Sequence, residues 1–258
     1  MIALVTGAGA RLGRAMAIRL AEAGHDIAVH FATSEAGAAQ TADAIRASGR
    51  RAVTLQADLL DVSSAAGLLP RAADALGGDV TCLVNSASIF EHDDIRSATP
   101  ESWHRHMGSN LLAPLLLIQA MAAQDLEPRE DTNGEPEATG LVVNMIDQRV
   151  RKLTPHFVTY TLAKSGLWTL TRTMAQALAP AIRVNAIAPG PTLRGSRQSP
   201  AHFAAQRAGT VLGRGADARD VTDALAYFLA ARSVTGQMIA VDGGQHLGWR
   251  TPDIVGRS

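Results

Sequence analysis

The chain holds one cysteine, two tyrosines and only two lysines among its 24 cations, and its formal charge is zero. A single thiol excludes an internal disulfide. Cys82 lies in the apolar run 80–84 and is expected to be a buried strand thiol. Zero net charge supplies no long-range pull toward nucleic acid or an anionic membrane, so a small molecule is the expected partner. No run of about 18 uncharged apolar residues occurs, and residues 1–5 are too short for a signal core, so a cytoplasmic protein is expected. The eight histidines show no metal-ligand spacing; His104 and His106 stand two apart on a predicted helix and diverge, so no metal is expected. What is abundant is core material, with 47% hydrophobic and 19% charged residues.

Short β-branched runs alternate with alanine-rich segments of helical period, the pattern of a parallel sheet covered by helices on both faces. Strands are predicted at 2–5, 26–31, 52–56, 80–84, 140–146, 182–187 and 237–241, and helices at 12–24, 35–48, 62–76, 100–124, 157–179 and 217–231. The expected fold class is α/β, a doubly wound seven-stranded sheet in one domain, residues 1–258. Residues 125–140, with two prolines, two glycines and mostly acidic charge, read as a solvated loop. Residues 189–215, with a short helical stretch near 202–208, follow a strand end and are a candidate substrate lid.

After the first strand comes Thr6-Gly7-Ala8-Gly9-Ala10-Arg11-Leu12-Gly13, then a helix. Strand, glycine turn and helix in that order aim backbone N–H groups and the positive helix end at a pyrophosphate, although a tight turn needs glycine on steric grounds too. The second strand and its exit carry no acid between Ile27 and Glu35. An acid there would bind a ribose 2′-hydroxyl; Thr33, Ser34 and also His30 could instead meet a 2′-phosphate, which favours NADP(H). Asp58, with Leu59 beside it, stands where a carboxylate can accept from an adenine amino group or cap a turn.

Tyr160 and Lys164 stand four apart, on one face of a helix. An ammonium near a phenol lowers the phenol pKa and suits Tyr160 to proton exchange near neutral pH. Tyr227, in an apolar stretch, is expected in the core.

In order along the chain, Thr6-Gly7 with Gly13, Asn85-Ser86-Ala87, Asn110, Tyr160 with Lys164, Pro189-Gly190, Val234-Thr235-Gly236 and Val241-Asp242-Gly243-Gly244 resemble the short-chain dehydrogenases/reductases. The resemblance implies hydride transfer with a nicotinamide, Tyr160 as acid/base, Lys164 holding the nicotinamide ribose, Asn110 supporting a proton relay, cofactor contacts from Asn85, Ala87, Pro189 and Gly190, and a homotetramer with helices 100–124 and 157–179 as dimer faces. Three departures narrow the substrate. Asp147 stands thirteen positions before Tyr160, where the family commonly has serine; a carboxylate accepts from nitrogen rather than donating to a carbonyl, unless it merely caps the strand end. The Asn85 segment continues Ser88-Ile89-Phe90, and Arg11 replaces a glycine. This set resembles the pteridine reductases and dihydromonapterin reductases. That likeness implies a pterin against Phe90, contacted by Ser88, Arg11, Asp147 and Tyr160, with Ser88 and Arg11 also reaching cofactor phosphates. Phe90 as a buried loop aromatic is the plain alternative. Other functional readings are a general alcohol dehydrogenase or 3-oxoacyl reductase and, from another class, an NADP-binding sensor without chemistry. Thr33 stands where the protozoan enzymes place a phosphate-binding arginine, and Arg11 is expected to bridge pyrophosphate and substrate rather than read the 2′-phosphate.

Overall fold

In the computed structural model, residues 1–195 and 198–250 are described. Strands β1 (Ile2–Val5), β2 (Asp26–Phe31), β3 (Ala52–Gln56) and β4 (Val80–Asn85) alternate with helices α1 (Arg11–Glu22), α2 (Glu35–Ala47) and α3 (Val62–Leu76). Helix α4 (Pro100–Met107) runs through a π turn (Gly108–Leu112) into α5 (Ala113–Ala122), and a short hairpin of β5 (Arg129–Glu130) and β6 (Pro136–Glu137) follows. The second half holds β7 (Gly140–Met145), α6 (Val158–Ala177), β8 (Ile182–Pro189), α7 (Pro200–Ala208), α8 (Ala218–Ala230) and β9 (Met238–Val241).

All seven long strands are parallel, in the order β3-β2-β1-β4-β7-β8-β9. The order reverses between β1 and β4, so the connections leave in opposite directions there and open a crevice at the strands' carboxyl ends. Alternation along each strand fills two cores. Ala3, Val5, Val29 and Val143 face α1 and α8 through Met16, Leu20 and Phe228, whereas Ile2, Leu4, Leu83 and Val142 face α3 and α5 through Leu68 and Leu117.

The seven strands and the doubly wound architecture match the sequence reading. Cys82 is buried, and burial pushes its thiol up to about 12, which leaves it inert at neutral pH. Three expectations change. The helix at 100–124 is interrupted, because residues 108–112 take the wider i→i+5 turn. The acidic loop folds back as a hairpin, closed by an Arg129–Glu137 ion pair. Tyr227 is 51% exposed, not core: α8 buries Val221, Ala224, Leu225 and Phe228 at the i, i+3, i+4, i+7 spacing, and position 227 falls beside that stripe. Among the described residues, no helix is long and apolar enough to cross a membrane.

Candidate active site

The crevice is built from the β1–α1 turn upward. Gly7 takes a left-handed φ of +66°, and a Cβ on Gly13 would stand 2.3 Å from the Gly7 carbonyl oxygen, so both positions require glycine. The Thr6 hydroxyl accepts from the amides of Ser86 and Ala87, which ties this turn to the end of β4. Helix α1 is preceded by Ala10, which supplies no side-chain cap, leaving its first N–H groups free to face an anion. A cavity of ≈ 170 Å³ opens beside the turn, and Gly7, His30, Asp58, Leu59, Ala87 and Ser88 all line it. Residues from four strand ends thus converge on one cavity. Thr33 and Ser34 sit exposed at the exit of β2. Gly190, after Pro189 at the end of β8, packs so tightly that a Cβ would meet Asp242 at 2.6 Å.

Two expected contacts are corrected. His30 is 1% exposed; its Nδ1 accepts from the Gly7 amide at 3.0 Å, so Nε2 carries the proton and donates to the Ala57 carbonyl at 3.1 Å. Both ring nitrogens are therefore committed to backbone, and burial lowers the pKa, which keeps the ring neutral and unsuited to bind a phosphate. His30 is a strut holding the glycine turn against the end of β3. Arg11 also departs from its reading. Its φ of +53° is left-handed, and its guanidinium spans the crevice to donate to the carbonyls of Leu193 and Arg194, both at 2.8 Å. It clasps the segment after β8. Arg207 of α7 holds the same segment from behind through the Pro191 carbonyl at 3.1 Å.

Asp58 caps a turn: its Oδ1 accepts from the Leu60 amide at 2.9 Å. Asn85 donates to Asn144 at 2.8 Å, bracing β4 against β7. Asn110 lies in the π turn, fully buried, where its side chain accepts from the Ile89 amide and donates to the Ile89 carbonyl. That double bond fixes the loop presenting Ser88 and Phe90.

At the other end of the crevice, the Tyr160 hydroxyl donates to Asp147 Oδ2 at 2.9 Å, and Lys164 Nζ donates to the Met145 carbonyl at 2.7 Å. Asp147 Oδ1 accepts from the Arg149 amide at 2.8 Å, so Asp147 serves as a cap and as the partner of Tyr160 together. Phe90 is 53% exposed rather than buried; it stacks on Phe157 at 4.4 Å and meets Tyr160 edge-on at 4.7 Å.

Electrostatics reverse one expectation. Burial, then the Asp147 charge and its hydrogen bond, raise the Tyr160 pKa well above the ordinary value, against smaller lowering effects from Arg149 and Ser88. Tyr160 is therefore held as a protonated phenol, a proton donor rather than a base. Burial likewise raises Asp147. Burial lowers Lys164 to about 8, with Asp147 opposing. Lys164 is cationic below that pH and neutral above it, so turnover is expected to fall on the alkaline side through about pH 8, as a kcat/KM profile would show. A profile flat to pH 10, the free tyrosine value, would remove Lys164 from that role.

Sequence reasoning missed the groups that seat α6. The Asp93 carboxylate accepts from the Thr159 hydroxyl and, at 3.3 Å, from its amide, while the Asp93 carbonyl accepts from the Phe157 amide at 2.6 Å. His106, fully buried, donates from Nδ1 to Thr159 at 2.7 Å and accepts the Glu91 amide at Nε2. No spacing rule joins residues 93, 106 and 159; only the adjacency of Thr159 to Tyr160 pointed there.

The family model described as "Enoyl-(Acyl carrier protein) reductase" matches residues 7–246. An uncharacterized oxidoreductase of Methylorubrum extorquens is 33% identical over 94% of this chain and 96% of its own. Among solved structures, FolM alternative dihydrofolate reductase 1 of Brucella suis, in complex with NADP, is 44% identical with a TM-score of 0.88, covering 98% of this chain and 97% of that one. The landomycin ketoreductase LanV, with bound NADP and rabelomycin, is 31% identical at a TM-score of 0.81, over 96% of each chain.

Proposed function

The chain belongs to the short-chain dehydrogenase/reductase family, and from that premise we propose that it is an NADPH-dependent reductase that converts a dihydropterin to a tetrahydropterin. The observation that carries the reading is the Asp147–Tyr160 hydrogen bond beneath the exposed ring of Phe90. A carboxylate at 147 accepts from an amino or ring N–H, whereas ketone reduction calls for a donor there. Phe90 offers an aromatic face wide enough for a bicyclic heterocycle. Support also comes from the likeness to a protein named a dihydrofolate reductase.

The crevice suits the cofactor: the uncapped α1 terminus, with Gly7, Leu12 and Gly13, takes the pyrophosphate; Thr33 and Ser34 take the 2′-phosphate; Asp58 and Leu59 border the adenine. Asn85, Ala87, Pro189 and Gly190 shape the nicotinamide end, and Lys164 holds the ribose. NADPH, when bound, supplies the hydride. Tyr160, kept protonated by burial and by Asp147, delivers a proton to the nitrogen of the reduced C=N bond, and Asp147 fixes the phenol's direction. Deuterated NADPH should place one deuterium in the tetrahydropterin, with the second hydrogen from solvent; NADPH consumption without labelled product would overturn the reading.

Ketone reduction is the second reading, favoured by the raised Asp147 pKa, because a protonated carboxyl can donate to a carbonyl, and by the likeness to a ketoreductase. The reading takes residues 1–258 as one domain. A homotetramer would cover the exposed apolar side chains Trp103, Leu112 and Leu162, on α4, the π turn and α6.

Arg11 then works by holding the segment after β8 over the site. Arg11→Gly relieves a left-handed φ worth about 1 kcal/mol yet removes two hydrogen bonds to the segment, so the pterin KM should rise by about fivefold or more while NADPH affinity changes little. Titration of NADPH beside pterin kinetics checks this; a loss confined to NADPH would return Arg11 to a phosphate contact.

A further inference from the structure

Tyr160 is the third residue of α6, and that helix has no cap of its own: Phe157, the residue before it, holds a left-handed φ of +59° and offers no side-chain acceptor. The cap comes from another segment. Asp93, 2% exposed on the chain between β4 and α4, gives its carbonyl to the Phe157 amide and its Oδ1 to the Thr159 amide. One residue thus satisfies two of the open donors at the helix start, and its carboxylate lies against the positive end of the helix.

The side chain of Thr159 is fixed as firmly as its backbone. The Glu91 amide can only donate, so it makes His106 Nε2 an acceptor; Nδ1 then carries the ring proton and donates it to the Thr159 oxygen at 2.7 Å. Thr159 has one proton of its own, and it goes to Asp93 Oδ2, where the Ser102 hydroxyl, shared with the Thr99 carbonyl, also arrives at 3.3 Å. Burial lowers the His106 pKa, which keeps the ring in the neutral form that this order requires. Each of these bonds therefore has one direction. Asp93, His106 and Thr159 are all buried, and a buried polar network whose members are partnered in this way specifies a single arrangement. The Tyr160 ring lies against the same cluster: it meets His106 edge-on at 5.9 Å and Phe90, three residues before Asp93, at 4.7 Å.

We propose that Asp93, acting with His106 through Thr159, is a positioning residue for Tyr160: the cluster sets where the first turn of α6 holds the phenol against the bond being reduced. This rests on Tyr160 as the proton donor and not on whether that bond is C=N or C=O. A phenol misplaced by a fraction of an ångström still binds in the same crevice but passes its proton more slowly.

The test is single-turnover kinetics with NADPH in ordinary and heavy water, beside an NADPH binding titration, on the wild type, Thr159→Val, Thr159→Ser and Asp93→Asn. Thr159→Val keeps the shape and the amide cap and removes the hydroxyl; it should lower the rate by about tenfold and enlarge the solvent isotope effect, with NADPH affinity near that of the parent. Thr159→Ser, which keeps the hydroxyl, should restore most of the rate, and Asp93→Asn should behave as Thr159→Val does. A parental rate and isotope effect in Thr159→Val overturn the proposal, as does a serine variant no better than the valine. A loss of rate and NADPH affinity in parallel, in both Thr159→Val and Asp93→Asn, also overturns it, since that is what a merely structural role gives. A wild type that reduces a ketone and not a dihydropterin overturns the pterin reading alone, and the same measurements on the ketone then decide the positioning role. A wild type that reduces neither overturns both.

Discussion

Tyr160→Phe is expected to lower kcat for dihydropterin reduction by about a thousandfold, the middle of the range for loss of a positioned proton donor. The phenol donates to Asp147 in the crevice, and burial, with the neighbouring carboxylate, raises its pKa. Removing the oxygen leaves the ring's edge contact with Phe90 and the packing of α6 unchanged, so NADPH binding and thermal stability should stay near those of the parent. Single-turnover kinetics beside a binding titration separates the two. An unchanged rate would place proton delivery elsewhere; unchanged binding with no turnover in either form would favour a cofactor sensor without chemistry.

Asp147→Asn should lower kcat/KM for the pterin by about a hundredfold while leaving fold and cofactor affinity intact. The amide can still cap the Arg149 amide and still accept from Tyr160, so geometry survives. What is lost is the negative charge that receives a pterin N–H; burial, the larger cause, still raises the Tyr160 pKa, which without the carboxylate should lie lower than in the parent. Asp147→Ser sharpens the contrast. On the pterin reading it is as damaging as the asparagine; on the ketone reading it supplies a hydroxyl donor and should raise carbonyl reduction. Assays of both substrates with both variants decide between them.

The fold was legible because each strand and helix carries its own period. Leu4 beside Val5, and Val142 beside Val143, already divide between two cores, and the glycine turn marks the first crossover. The Tyr160–Lys164 pair was legible from spacing and Asp147 only through the family resemblance, and the structure joins Asp147 to Tyr160 with Phe90 beside them. Contacts between distant segments were not legible. Nothing in TGAGARLG says that Arg11 reaches Leu193 and Arg194, because that contact depends on where the chain returns after β8. His30 read as a phosphate contact because an exposed imidazole at a strand end would be one; only burial between Gly7 and Ala57 makes it a strut. The π turn was hidden for a different reason: an apolar helical period runs on both sides of 108–112, and the Asn110 hydrogen bonds to Ile89 that accompany the turn join segments far apart in sequence.

The measurement that tests the central claim most directly is kcat/KM for a dihydropterin, a 3-oxoacyl thioester and a simple ketone, each with NADPH and with NADH, on one preparation of the purified protein. The expected result is turnover of the dihydropterin with NADPH at least about a hundredfold above either carbonyl substrate, with NADH the poorer donor. Efficient reduction of the carbonyl substrates without turnover of the pterin would contradict it.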